Sequence, residues 1–185
     1  MAPMTAAPND VNISIQGASP AQAGVAIRAE DPGASGVEAL LRAGEAHMAS
    51  LYPAHSNHML PLDALRAHGV VFLVARDAQG RALATGAAAI DDGVAEIKRL
   101  WVEPTYRGGG LGRAMLAALE ARARAGGAQT LRLETGVASG EALGLYERAG
   151  FRRRGPFGGY APDPLSVFME KALLAGPFAR ESAAP

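Results

Sequence analysis

The chain contains no cysteine. That excludes disulfides, thiolate metal sites and a cysteine nucleophile, and it suits a cytoplasmic protein. Lysine is nearly missing as well: Lys98 and Lys171 are the only lysines, and arginine carries the rest of the basic charge. Neither sign of charge is in excess, since Lys plus Arg and Asp plus Glu number 18 each. A general nucleic-acid binder is usually basic, so no nucleic-acid partner is expected. No run approaches the roughly 20 apolar residues of a membrane span. No basic start followed by an apolar segment marks a signal peptide, and no internal repeat is visible. What is present is 185 residues, 49% of them hydrophobic, enough for one globular domain with a core.

Residues 1–23 are rich in Ala, Pro, Asn, Ser and Gln and form a loose leader, with Val11 to Gln16 as a weak edge strand. The domain proper spans 24–174, and 175–185 is a frayed tail. A short strand at Val25–Glu30 precedes a helix capped by Ser35 and running to about Met48. The loop Tyr52 to His58 leads to a short helix near Pro61–His68. Three strands follow as a meander: Val70–Arg76, Ala82–Ile90 and Val94–Val102, with turns at Asp77–Gly80 and Asp91–Gly93. Helical spacing then covers Gly110 to Ala125, with Leu111, Met115 and Leu119 on one face and a Glu120–Arg124 pair outside. A strand at Thr130–Thr135, a helix from Ser139 to Ala149, and strands at Phe151–Gly155 and Ser166–Leu173 complete the order. This predicts an α/β (α+β) layer structure on a mixed sheet. The crossover helix makes Val94–Val102 and Thr130–Thr135 parallel neighbours.

The most informative stretch is Val102-Glu103-Pro104-Thr105-Tyr106-Arg107-Gly108-Gly109-Gly110-Leu111-Gly112-Arg113. A strand enters a glycine turn that opens a helix, and such a turn cradles phosphate with backbone N–H groups. It lacks the Lys of a Walker A loop and the spacing and position of a dinucleotide fingerprint. Arg107 and Arg113 flank it with guanidinium groups suited to phosphate oxygens. The alternative is a tight turn whose glycines only permit its geometry.

The run from Leu100 through Gly112 resembles the acetyl-CoA signature of the GNAT superfamily of N-acyltransferases. Ala142-Leu143-Gly144-Leu145-Tyr146-Glu147-Arg148-Ala149-Gly150-Phe151 is similar to that family's later Leu-Tyr-Glu-Lys-x-Gly-Phe segment. The resemblance implies a mostly antiparallel central sheet flanked by helices, acetyl-CoA as cosubstrate, and acetyl transfer to a primary amine by direct attack. It implies that the backbone at Leu100, Trp101 and Val102 holds the pantetheine and the acetyl carbonyl. Arg107, Gly108, Gly109, Gly110, Leu111, Gly112 and Arg113 would hold the pyrophosphate. Tyr146 takes the place of the general acid that protonates the departing thiolate. Glu96 takes the place of a general base, with Glu134 on the neighbouring strand or water as competitors. Ser139 stands where many relatives have, before the tyrosine helix, an Asn that contacts the cofactor arm, and so counts among the cofactor-binding candidates.

Period-two alternation puts Glu96, Lys98, Leu100 and Val102 on one face, with Arg99 opposite. The alternative for Glu96 is a salt bridge with Lys98, Arg99 or another basic neighbour. Tyr52, His58, Glu134 and Tyr160 are candidate acceptor-side residues, because the loops carrying Tyr52–His58 and Gly155–Tyr160 fall where the family builds its acceptor pocket. His55 and His58 with Asn57 do not make a converging ligand set, so no metal is expected. Edge strands make a homodimer an open expectation. A non-catalytic acyl-CoA sensor on the same fold is the alternative function.

Overall fold

The computed structural model describes residues 24–56 and 59–173. The leader with its Val11–Gln16 strand, His58 and the tail from residue 174 lie outside the described residues. Strands β1 (Ala26–Ala29), β2 (Val70–Arg76), β3 (Ala82–Asp91), β4 (Val94–Val102), β5 (Thr130–Gly136), β6 (Arg152–Arg154) and β7 (Ser166–Ala172) alternate with helices α1 (Val37–Leu51), α2 (Leu111–Ala125) and α3 (Gly140–Arg148). The strands form one seven-stranded sheet in the order β1-β2-β3-β4-β5-β7-β6. Every pairing is antiparallel except β4 with β5, as the crossover through α2 requires. The expected mixed, mostly antiparallel sheet is the one observed.

Two local expectations are corrected. Ser35 does not cap α1; the helix starts after Gly36 at φ 77°, without a side-chain cap hydrogen bond. The carbonyl of Ser35 accepts from Arg76 instead. The helix expected near Pro61–His68 is a single 3-10 turn, Asp63–Arg66. It stops there because Ala67 turns extended, and Gly69 at φ 82° swings the chain into β2.

The sheet separates two apolar layers. On one side α2 contributes Leu111, Met115, Leu116 and Leu119, and α3 contributes Tyr146. They pack on Ala84, Ala88, Ala95, Ile97, Leu131 and Leu133. The small residues of β3 let α2 come close: a β-carbon at Gly86 would lie 2.8 Å from Leu119 Cδ1. On the other side Val37 and Leu41 of α1 meet Leu65, Phe72, Val74 and Ala87. Burying each large aliphatic side chain stabilises the fold by about 1.5–3 kcal/mol relative to exposure. Beyond α1, that second face is occupied by the residue 155–165 loop, whose Phe157 and Tyr160 meet Phe168 of β7 at centroid distances of 5.7 and 5.4 Å.

Candidate active site

The site begins where β4 and β5 part. Their parallel pairing joins Val94, Ala95 and Glu96 to Thr130, Leu131 and Arg132. Past that point β4 continues to Val102 and β5 to Gly136 without pairing with each other, among the described residues. Beyond it, backbone groups of the two strands that no longer face each other are polar groups in want of partners.

A bulge sits on the same stretch of β4. The register against β3 shifts between Thr85 and Ala87, and Arg99 adopts φ 54°. The extra residue inverts the alternation that regular pleating would produce. This corrects the expected single face for Glu96, Lys98, Leu100 and Val102. Leu100 and Val102 join Ala95 and Ile97 in the α2 layer. Glu96 and Lys98 instead share the α1 side with Arg99 and Trp101. Arg99, expected opposite Glu96, donates to Glu45 Oε1 of α1 (2.7 Å) and to the Leu60 carbonyl (2.7 Å). Trp101 stacks on His47 with centroids 5.2 Å apart and lies against Gly44 of α1. Its indole N–H is buried and has no hydrogen-bond partner among the described residues.

The glycine turn follows directly on β4 and leads into α2. A 3-10 turn, Pro104–Tyr106, ends β4, and Gly108 and Gly110 then take φ 78° and 86°. These left-handed values need glycine. Gly110 starts α2 with no side-chain cap and no acidic residue in the first turn. The first N–H groups of a helix are orphan donors at the positive end of its dipole. Together with the open strands, this fits a diphosphate-bearing thioester such as acetyl-CoA. Arg113 lies exposed on that first turn. Arg107 is drawn inward: it bonds the Val102 carbonyl (3.1 Å), reaches Glu141 of α3 (3.3 Å) and sits 4.6 Å over the Trp101 ring. A β-carbon on Gly112 would meet Leu145 Cδ2 at 3.5 Å and Val102 Cγ2 at 3.7 Å, so that residue marks the seam of α2, α3 and β4.

Tyr146 is buried on α3 in the same layer, edge-on to Phe151. Burial first, and then the charge of Glu134, push its phenol well above the usual tyrosine range. The group stays protonated and is a donor in form. Ser139 is the N-cap residue of α3, but its hydroxyl makes no capping bond. It lies 3.2 Å from the Tyr52 hydroxyl, which also accepts from the Ala138 N–H at 2.8 Å. Tyr52 is therefore a buried clasp between the end of α1 and the turn before α3. Gly136 makes room for it, since a β-carbon there would sit 2.1 Å from the Tyr52 ring.

On the opposite face Glu96 is bound from two sides. Its Oε1 accepts from the Tyr160 hydroxyl (2.6 Å) and lies 2.8 Å from Lys98 Nζ. Lys98 Nζ also bonds the Tyr160 hydroxyl and stands 4.9 Å from that ring's centroid. Burial, the Glu96 hydrogen bond and the nearby carboxylates push the Tyr160 phenol far above its usual range. Glu134 accepts from the Ser166 hydroxyl at 2.6 Å. Among the candidates, the fold brings Glu96 and Tyr160 together. It keeps Tyr146 on the α3 face, and seats Tyr52 under the α3 turn. Sequence reasoning named Lys98 only as a salt-bridge partner for Glu96, and that contact is present.

A strand that leaves its neighbour beside a bulge, a glycine turn that starts an uncapped helix, and a buried tyrosine on the next helix are the features of this candidate site. The chain belongs to the Acetyltransferase (GNAT) family, whose profile matches residues 39–151. It is thus a GNAT acetyltransferase, an enzyme that uses acetyl-CoA. It is 47% identical over 151 residues to the IAA acetyltransferase of Azospirillum brasilense, covering 80% of this chain and 98% of that protein. It is 34% identical over 128 residues to the N-acetyltransferase YsnE of Bacillus subtilis (strain 168), covering 68% and 85%. Among solved structures it is similar to an acyl-CoA N-acyltransferase from Klebsiella pneumoniae, with TM-score 0.69, 40% identity, and 80% and 97% of the two chains covered. No described helix is long and apolar enough to cross a membrane.

Proposed function

We propose that this enzyme transfers the acetyl group of acetyl-CoA to the amine nitrogen of a small acceptor by direct attack, with Tyr146 as general acid and Glu96 as general base. The observation that supports the reading is Glu96 at the last β4–β5 pair with Tyr146 buried in the layer on the other face of the sheet. Leu100, Trp101 and Val102 would hold the pantetheine arm, and the Val102 N–H would polarise the acyl carbonyl. The turn from Arg107 to Arg113 would hold the diphosphate with backbone N–H groups. Acetyl-CoA supplies the activated acyl carbon. Tyr146, kept protonated by burial, gives its proton to the departing sulfur. Glu96 receives the proton that the attacking nitrogen loses. A small-molecule acceptor is in keeping with the name of the Azospirillum relative, IAA acetyltransferase.

Isothermal titration should detect acetyl-CoA binding, and its absence at millimolar cofactor overturns the reading. In a thiol-release assay, Tyr146→Phe should lower turnover by about ten- to ten-thousand-fold while acetyl-CoA binding persists. Glu96→Gln should move the pH–rate profile toward higher pH. An unchanged profile assigns the proton to water or to Glu134.

A further inference from the structure

We infer that the acceptor is an amine uncharged at neutral pH, an arylamine or a comparably weak base, and that Lys98 sets this preference. The inference rests on the reading of Glu96 given above. A carboxylate that takes a proton from an alkylammonium acceptor has to bind that cation first. Here the place beside Glu96 Oε1 already holds a cation, Lys98 Nζ at 2.8 Å. Lys98 is tethered as well as charged. Its side chain is only 14% exposed, and it is held by the Tyr160 hydroxyl and ring. An incoming ammonium would meet a like charge in a partly desolvated site, which costs far more than in water.

Two other described carboxylates of this region already face cations. Arg132 and Arg154 both engage Glu170, and Arg99 engages Glu45. Glu134 takes its bond from the Ser166 hydroxyl, so it is the carboxylate an ammonium acceptor would have to use. The apolar neighbours are aromatic: Phe157, Tyr160 and Phe168 meet edge to face at 5.2–5.7 Å.

The chemistry balances without prior deprotonation of the acceptor. The nitrogen lone pair of a neutral amine attacks the acyl carbon, the C–N bond forms and the C–S bond breaks. The nitrogen's proton passes to Glu96, and Tyr146 protonates the departing sulfur. Lys98 is here a specificity residue, since it acts through the charge it places at Glu96.

The test compares p-anisidine, an arylamine, with 2-phenylethylamine, an alkylammonium of similar size. Each is followed by thiol release and by calorimetric binding to the protein without acetyl-CoA. The wild type should bind p-anisidine the more tightly and acetylate it with the higher kcat/KM. Lys98→Met should shift the kcat/KM ratio toward 2-phenylethylamine by about tenfold or more, and the affinity ratio in the same direction. Lys98→Arg, which keeps the charge, should retain the wild-type preference. Retained acetyl-CoA binding shows that each variant is folded. A wild-type preference for 2-phenylethylamine overturns the proposal, as does a ratio unmoved by Lys98→Met. So does a preference that follows Glu134→Gln instead. If acetyl-CoA binds and neither amine is acetylated or bound, this inference fails alone. If acetyl-CoA does not bind, the underlying functional reading fails with it.

Discussion

Arg99 shows how much one residue decides in this molecule. A left-handed backbone at a residue with a β-carbon costs about 1–2 kcal/mol. Arg99 keeps it because its guanidinium is tied to Glu45 and to the Leu60 carbonyl, with the side chain only 7% exposed. Those bonds offset the strain, and the strain turns Leu100 and Val102 toward α2. A different residue-scale balance holds the loop after β1. The Arg66 hydrogen bonds and the Gly33 N–H hold the Asp31 carboxyl down at about 2, against an ordinary 3.8. A carboxyl depressed in the folded state contributes stability above its unfolded value, and that stability is lost as pH falls through about 2. Carboxyl NMR should therefore find the Asp31 midpoint near 2. Arg66→Ala should return it toward 3.8, and an unmoved midpoint refutes the pairing. The pair is exposed, so its weight in total stability is small.

At the scale of elements, the join between β5 and α3 is built by close approach. Gly136 is the last residue of β5, and the Tyr52 ring fills the space where its side chain would be. Tyr52 in turn holds the Ala138 N–H and the Ser139 hydroxyl. Gly136→Ala should displace Tyr52, release the start of α3 and lower the melting temperature. The expected loss is about 1–3 kcal/mol, typical of overpacking a filled site. Circular dichroism melts check the loss, and Tyr52→Phe in the Gly136→Ala background should recover little, because the ring itself clashes. The glycine turn was legible beforehand because its geometry is local: the φ values at 108 and 110 strongly favour glycine. The Tyr52 clasp was not legible, since nothing near residue 52 in the chain announces a contact with residues 136–139.

At the scale of the whole molecule, the sheet is two antiparallel halves joined by one short parallel pair. Sheet pairing continues on both sides of that joint, so β4 and β5 can part without the domain coming apart. The α2 layer supports the joint from one side, with Leu119 fully buried against β3. Leu119→Ala should cost about 2–5 kcal/mol through lost burial and a residual cavity. At about 2–4 °C per kcal/mol for a domain of this size, calorimetry should show a fall of roughly 4–20 °C. A smaller change would mean that α2 settles into the space. Alternation alone placed Leu100 with Glu96 because it assumes an unbroken pleat. The bulge breaks that assumption, and bulges arise from how two strands fit each other.

The sequence by itself determined the order of elements, the parallel crossover, the glycine turn and the tyrosine helix. Each of these follows from local rules: hydrophobic period, permitted φ, helix ends and the length of a connection. Only the tertiary structure decided which face Leu100 and Val102 occupy, where β4 leaves β5, and that Tyr52 lies beneath the α3 turn. It also decided that one of only two lysines rests against Glu96. Those outcomes depend on register and on side chains far apart in the chain, and their energies exist only once the layers have packed.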